Sequence, residues 1–192
     1  KGRIVASALL FCLDKHKLVL VCEQQTQEKL FAHLYRYKLL SQVTLTLTTD
    51  YTISIEQQVK ADQIAIRLNH QYWASLSLCT NKNKTCHQDT IELLDLLITL
   101  HYPLIYEQTS EYFTPHQLGL EQHDWIDFNK GCYLGQEIIT RMHHLGKAKQ
   151  AMQIRKLSTT TQDLLTPGQT CHNDEGKAVG NILYGSNQYA LT

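Results

Sequence analysis

The 192-residue sequence predicts an α+β fold. Strand-like runs come in blocks instead of alternating one by one with helices. Apolar spacings of helical period interrupt those blocks. After residue 148 the chain returns to strand-like sequence only. The expected layout is an α+β unit (hairpin, helix, antiparallel strands) over 1–80, helices and a motif-bearing segment over 81–147, and a β module over 148–192.

Residues 4–22 read as a β-hairpin. Two β-rich runs, Ile4–Leu13 and Lys17–Cys22, flank the polar turn Asp14–Lys17. Paired about that turn, Cys12 is expected to face Val19, and Cys22 to face Leu9. From Gln24 to Leu40, Leu30, Leu34 and Tyr37 recur at helical spacing. Four alternating runs follow, built on Val43–Leu47, Ile53–Ile55, Ile64–Leu68 and Tyr72–Leu78, each with one apolar and one wetter face. Asn81–Lys84 is a polar loop. A helix is expected from Asp89, capped by its carboxylate with Glu92 three residues on; Ile91, Leu94, Leu97 and Ile98 form its apolar face, and Pro103 stops it.

Leu104–Asn129 is mostly irregular, and long stretches of that kind are usually functional. Gly135–His144 reads as a short helix ended by Gly146. Strands are expected over Ala151–Leu157, Thr170–His172 and Ala178–Tyr184, separated by turns at Thr166-Pro167-Gly168 and Asn173–Gly176.

Composition excludes several function classes. The formal net charge is zero, so the chain as a whole has no strong pull toward nucleic acid or a membrane surface. No apolar run approaches the ~20 residues of a membrane span. Six cysteines at irregular spacing, without C-x-x-C, read as reduced thiols in a cytoplasmic protein.

The chemistry concentrates in Asn129–Glu137, N-K-G-C-Y-L-G-Q-E. Cys132 lies two residues after Lys130 and three before Gly135, where a helix is expected to begin. A helix N-terminus and a nearby ammonium both favour thiolate over thiol. Gly131 and Gly135 let the backbone turn sharply and approach a ligand closely. Gln136 and Glu137 offer hydrogen bonds to a polar ring edge. Glu137 and Arg141, four apart, can pair on one helix face. On residue type alone a lone cysteine is more often a small buried hydrophobe than a reactive group.

The segment resembles the K-G-C-Y-x-G-Q-E signature of the YgfZ family, folate-binding relatives of the glycine cleavage T protein. Glu111-x-Phe113-x-Pro115-x-x-Leu118-Gly119-Leu120 resembles the family segment upstream. Arg141 and Leu145-Gly146-Lys147 resemble its downstream continuation, and Lys1-Gly2-Arg3 its hairpin entry. The resemblance implies ferredoxin-like α+β domains of the T-protein type and a C-terminal β-barrel around a folate-binding opening, with a further family part before the K-G-R. It implies Cys132 as the functional thiol, Lys130 tuning it or contacting an anion, and Tyr133, Gln136, Glu137, Gly131, Gly135 and Arg141 around bound tetrahydrofolate.

The implied role is accessory: maintenance or repair of iron–sulfur proteins, among them tRNA-thiolating enzymes, with no direct contact to nucleic acid. Were the site catalytic, one-carbon or aminomethyl transfer would be its chemistry. A thiol-dependent redox protein or hydrolase is the rival without folate.

Metal ligation is not expected. His143 and His144 are adjacent, so they point to different helix faces. Cys86-His87 and Cys171-His172 lack a second pair at zinc spacing. A Cys132–His143 nucleophile pair is compatible with the sequence. Lys147 and Lys149 read as a solvated basic cluster.

Overall fold

In the computed structural model, residues 2–39, 41–79, 89–123, 125–145, 151–157 and 165–192 are described, without the side chains of 89–91 and 145. Lys1, the 81–84 loop, Cys86-His87, Gly146, Lys147 and Lys149 lie outside them, as do the side chains expected to cap the second helix at Asp89, to join its apolar face at Ile91, and to continue the signature at Leu145.

Strands β1 (Ala8–Cys12) and β2 (Leu18–Cys22) form the expected hairpin in a register one residue off the expected one. Cys12 faces Leu18 and Cys22 faces Ala8, so the two thiols do not meet. The turn decides this. The Asp14 carboxylate accepts the His16 amide at 2.7 Å, and Leu13 bonds Lys17 at 2.9 Å, which closes a three-residue loop. That register turns Leu9, Phe11, Val19 and Val21 onto one face.

A 3-10 turn, Gln24–Thr26, leads into α1 (Gln27–Tyr37), the shorter outcome of the helix expected to Leu40. Strands β3 (Tyr51–Glu56), β4 (Ile64–Arg67) and β5 (Trp73–Leu78) form an antiparallel sheet in the order β3-β5-β4. The run Val43–Leu47 forms no strand. Alternation gives a strand only when a neighbour takes its backbone groups, and here Val43 and Leu47 stay half exposed. Phe11, Ala74 and Leu76 make a core between hairpin and sheet.

Helix α2 (Asp89–Thr99) stops before Pro103. Its end is a Schellman motif: His101 N–H bonds the Ile98 carbonyl and Tyr102 N–H the Leu97 carbonyl, both at 2.9 Å. His101 takes the left-handed position, φ 52°. Helix α3 (Gln136–Leu145) follows the long irregular segment.

Strands β6 (Ile154–Lys156), β7 (Thr170–His172), β8 (Ala178–Asn181), β9 (Tyr184–Gly185) and β10 (Tyr189–Leu191) complete the chain. The run expected as one strand over 178–184 is broken at Ile182–Leu183. Sheets β6-β10-β9 and β7-β8 result, and the described residues form no closed barrel. Leu94, Leu97 and Ile98 of α2 pack with Leu183, Tyr184 and Leu191 in the larger core. The Tyr184 hydroxyl donates to the Tyr102 carbonyl at 2.6 Å. Mixed helices and small antiparallel sheets of this kind are an α+β fold.

Candidate functional site

The first residues of the described chain build the site from behind. Arg3 donates its guanidinium to the Tyr112 carbonyl. Ile4 exchanges backbone bonds with the 111–113 stretch, its N–H to Phe113 at 2.9 Å and its carbonyl from Glu111 at 2.7 Å. Ser110 Oγ donates to Val5 at 2.6 Å, and Ser7 Oγ accepts from the Ile105 amide at 3.1 Å. The irregular segment is thereby zipped to residues 3–7, which satisfies backbone groups that no helix or sheet serves.

Gly2 then meets the signature. It has φ 71°, and a Cβ on it would lie 2.9 Å from Ile138 Cγ2. Gly135 has φ 91°, and a Cβ there would sit 3.5 Å from the Gly2 Cα. Both positions take a left-handed backbone that favours glycine, and at Gly2 the space excludes a side chain as well. Gly131 differs: a Cβ on it would meet nothing within 4 Å. The structure thus brings the K-G-R entry, the 111–120 segment and the signature into contact.

The Tyr133 amide donates to Gln136 Oε1 at 3.3 Å, and the Ile138 amide reaches the Gly135 carbonyl at 3.2 Å. Gln136 therefore ties the turn to the helix start. Ile139, 8% exposed, roots α3 in the protein. Cys132 is exposed, as are Lys130, Gly131 and Leu134. The Lys130 ammonium lies 4.3 Å from the centroid of the Tyr133 ring, a cation–π contact that places charge and ring side by side. Glu137 and Arg141, both exposed, form no ion pair with each other among the described residues. Each is free to address solvent or a ligand.

His143 is held elsewhere. Its Nδ1 bonds Glu121 Oε1, and its ring lies 4.1 Å, centroid to centroid, from Phe128. It sits about two turns beyond the helix start, and its ring nitrogen is engaged by Glu121, so the Cys132–His143 pair with which the sequence is compatible is not formed among the described residues. Glu121 Oε2 lies 3.3 Å from His116 Nε2, an ion-pair distance out of line for a hydrogen bond. The carboxylate thus spans two imidazoles and clasps the far half of α3 to the 111–121 segment. Sequence spacing does not reveal this clasp: its members come from separate turns of an irregular segment and a helix.

No family model matches the chain. Curated relatives do match it. Over 68 residues it is 43% identical to the tRNA-modifying protein YgfZ of Colwellia psychrerythraea, which covers 35% of this chain and 20% of that protein. Over 109 residues it is 29% identical to the tRNA-modifying protein YgfZ of Blochmanniella pennsylvanica, covering 57% of this chain and 33% of that one. Over 78 residues it is 33% identical to the human mitochondrial iron–sulfur cluster assembly factor IBA57, covering 40% and 22%. The chain spans no more than about a third of the length of these three relatives. In its signature turn, the entry glycine packed behind that turn and these shared stretches, the chain is similar to the YgfZ proteins over part of their length.

Proposed function

We propose that the protein is a folate-binding accessory factor that supports the making or repair of iron–sulfur proteins, and that it affects tRNA modification indirectly, through iron–sulfur enzymes that thiolate tRNA. The names of the relatives support the iron–sulfur and tRNA side of this reading. One observation supports the site: Gly2 packs against Gly135 and Ile138 at the start of α3, and the next residues, Arg3 and Ile4, bind the 111–113 stretch.

The residues present suit tetrahydrofolate. Lys130 and Arg141 supply cations for carboxylates, Tyr133 a ring face, and Gln136 and Glu137 donor and acceptor groups for a pteridine edge. Gly131 and Gly135 keep side chains out of the turn. Cys132 is the exposed functional thiol. Bound folate would supply a one-carbon carrier. The T-protein-type arrangement, with a C-terminal barrel and a cytoplasmic setting, belongs to the same proposal.

Calorimetric titration of tetrahydrofolate into the protein tests the ligand. Saturable binding that weakens in Lys130→Ala is expected, and a flat titration would sink the folate reading. Complementation tests the role. In cells lacking the gene, the wild type and Cys12→Ser should restore activity of the iron–sulfur tRNA-thiolating enzymes, and Cys132→Ala should not. Full restoration by Cys132→Ala would remove the thiol from the function.

A further inference from the structure

A second concavity lies between the β4–β5 turn and the end of α2. It is an open cleft of about 480 Å³, and no signature residue lines it. That volume lies within the ~300–1,000 Å³ usual for small-ligand sites.

One wall is Arg67. Its Nε donates to the Asn69 carbonyl at 3.0 Å and its Nη2 to the His70 carbonyl at 3.3 Å. Its guanidinium carbon stands 5.6 Å from the Trp73 ring centroid. These contacts hold the guanidinium in place beside the cleft, with Nη1 outside both hydrogen bonds. Arg67 is the one permanent charge among the described residues lining the cleft.

The opposite wall is aromatic. The His101 and His123 rings stack at 4.9 Å with 26° between their planes. Trp125 stands beside them, edge-on to Tyr102 at 5.1 Å. Burial first, and then the neighbouring His123, push the His101 pKa below its ordinary value. His101 also occupies the left-handed position that ends α2, which disfavours a residue with a Cβ. Strain of this kind clusters at ligand sites. Here it sets an imidazole face where glycine would serve the backbone better.

We propose that this cleft binds a flat heteroaromatic ring bearing an anionic group, with the ring against His123 and Trp125 and the anion on Arg67. A nucleoside monophosphate and a carboxylate-bearing pteridine share that chemistry. The proposal goes beyond the folate reading of the signature turn and stands without it, because it rests on other residues.

Calorimetry with AMP and with pterin-6-carboxylate as separate probes tests it, with adenosine as the uncharged control. Saturable binding of at least one anionic probe is expected, about tenfold weaker in Arg67→Gln and partly recovered in Arg67→Lys. His123 is exposed, so His123→Ala leaves the fold in place and is expected to weaken the same probe. The probe that binds identifies the source. No saturable binding by either probe overturns the assignment, as does an affinity unchanged in both Arg67→Gln and His123→Ala. Tetrahydrofolate binding that fails in Lys130→Ala while AMP binding persists would separate the two sites.

Discussion

Gly2 lies one side-chain carbon away from Gly135: a Cβ on Gly135 would stand in van der Waals contact, 3.5 Å from the Gly2 Cα and 3.6 Å from its nitrogen. Both have positive φ, and Gly2 is closed in further by Ile138. Gly2→Ala should therefore destabilise the protein by about 2 kcal/mol, from the left-handed backbone and the clash together. Gly135→Ala should cost about 1 kcal/mol from its backbone alone. Gly131→Ala, in open space, should be close to neutral. Urea unfolding of the three variants checks the order, and a costly Gly131→Ala would contradict it.

His101 gives the opposite sign. Replacing it with glycine relieves a left-handed backbone at the end of α2 and should stabilise the fold by about 1 kcal/mol. The same variant should lose affinity for any ring bound in the neighbouring cleft. Thermal unfolding and calorimetry on one preparation read both effects.

Alkaline pH should unfold the protein through two tyrosines. Burial pushes the Tyr102 pKa up to about 12 and that of Tyr184 well above 10. In the unfolded chain both ionise near 10. Their contribution is fully present below pH 10 and is lost as pH rises from there through the folded values. Stability measured between pH 9 and pH 12 (the upper end set by Tyr102) should fall, and Tyr184→Phe should flatten that fall. Near neutral pH the same substitution should cost about 1 kcal/mol, because the Tyr102 carbonyl loses its 2.6 Å partner.

The cysteines should react in two classes. Cys12 and Cys132 are exposed. Cys22 is half-buried, and burial, with Glu23 adding, raises its pKa. An aromatic disulfide reagent at pH 8 should label Cys12 and Cys132 first, with Cys22 lagging. Peptide mapping at timed intervals reads this, and early labelling of Cys22 would contradict the hairpin's burial pattern.

Glu121→Ala should loosen the far half of α3 and leave its first turn alone, since the clasp to His143 lies at one end and the Gln136–Tyr133 tie at the other. Amide exchange should speed up near His143 but not at Ile138 or Ile139, whose bonds run to Gly135. Uniform acceleration along the helix would show that the clasp holds the whole element.

Local chemistry made much of this legible in advance. The Thr166-Pro167-Gly168 turn is visible because proline and glycine fix its backbone, and Gly168 has φ 84°. The start of α3 follows from the glycine before it. The hairpin register was not legible, because it depends on one side chain, Asp14, closing the loop a residue tighter than its polar boundaries suggest. Val43–Leu47 alternates like a strand and lacks a neighbour to pair with, which no local pattern records. Within the site, the turn before α3 is readable from its glycines, whereas the exposure of Cys132 and the bond from Glu121 to His143 come through the fold alone.

The zipper between residues 3–7 and the 105–113 segment has a consequence for how the protein is made. Arg3 and its acceptor on Tyr112 are 109 positions apart. As the chain leaves the ribosome, residues 3–7 emerge long before that distant partner. Contacts of such long range close late and slow folding. The hairpin can form early, but the seat beneath Cys132 is completed only after the signature itself has emerged. Seating of the Cys132 turn is therefore a late event in biogenesis, and a nascent chain stalled before α3 would hold a formed hairpin and no seated turn.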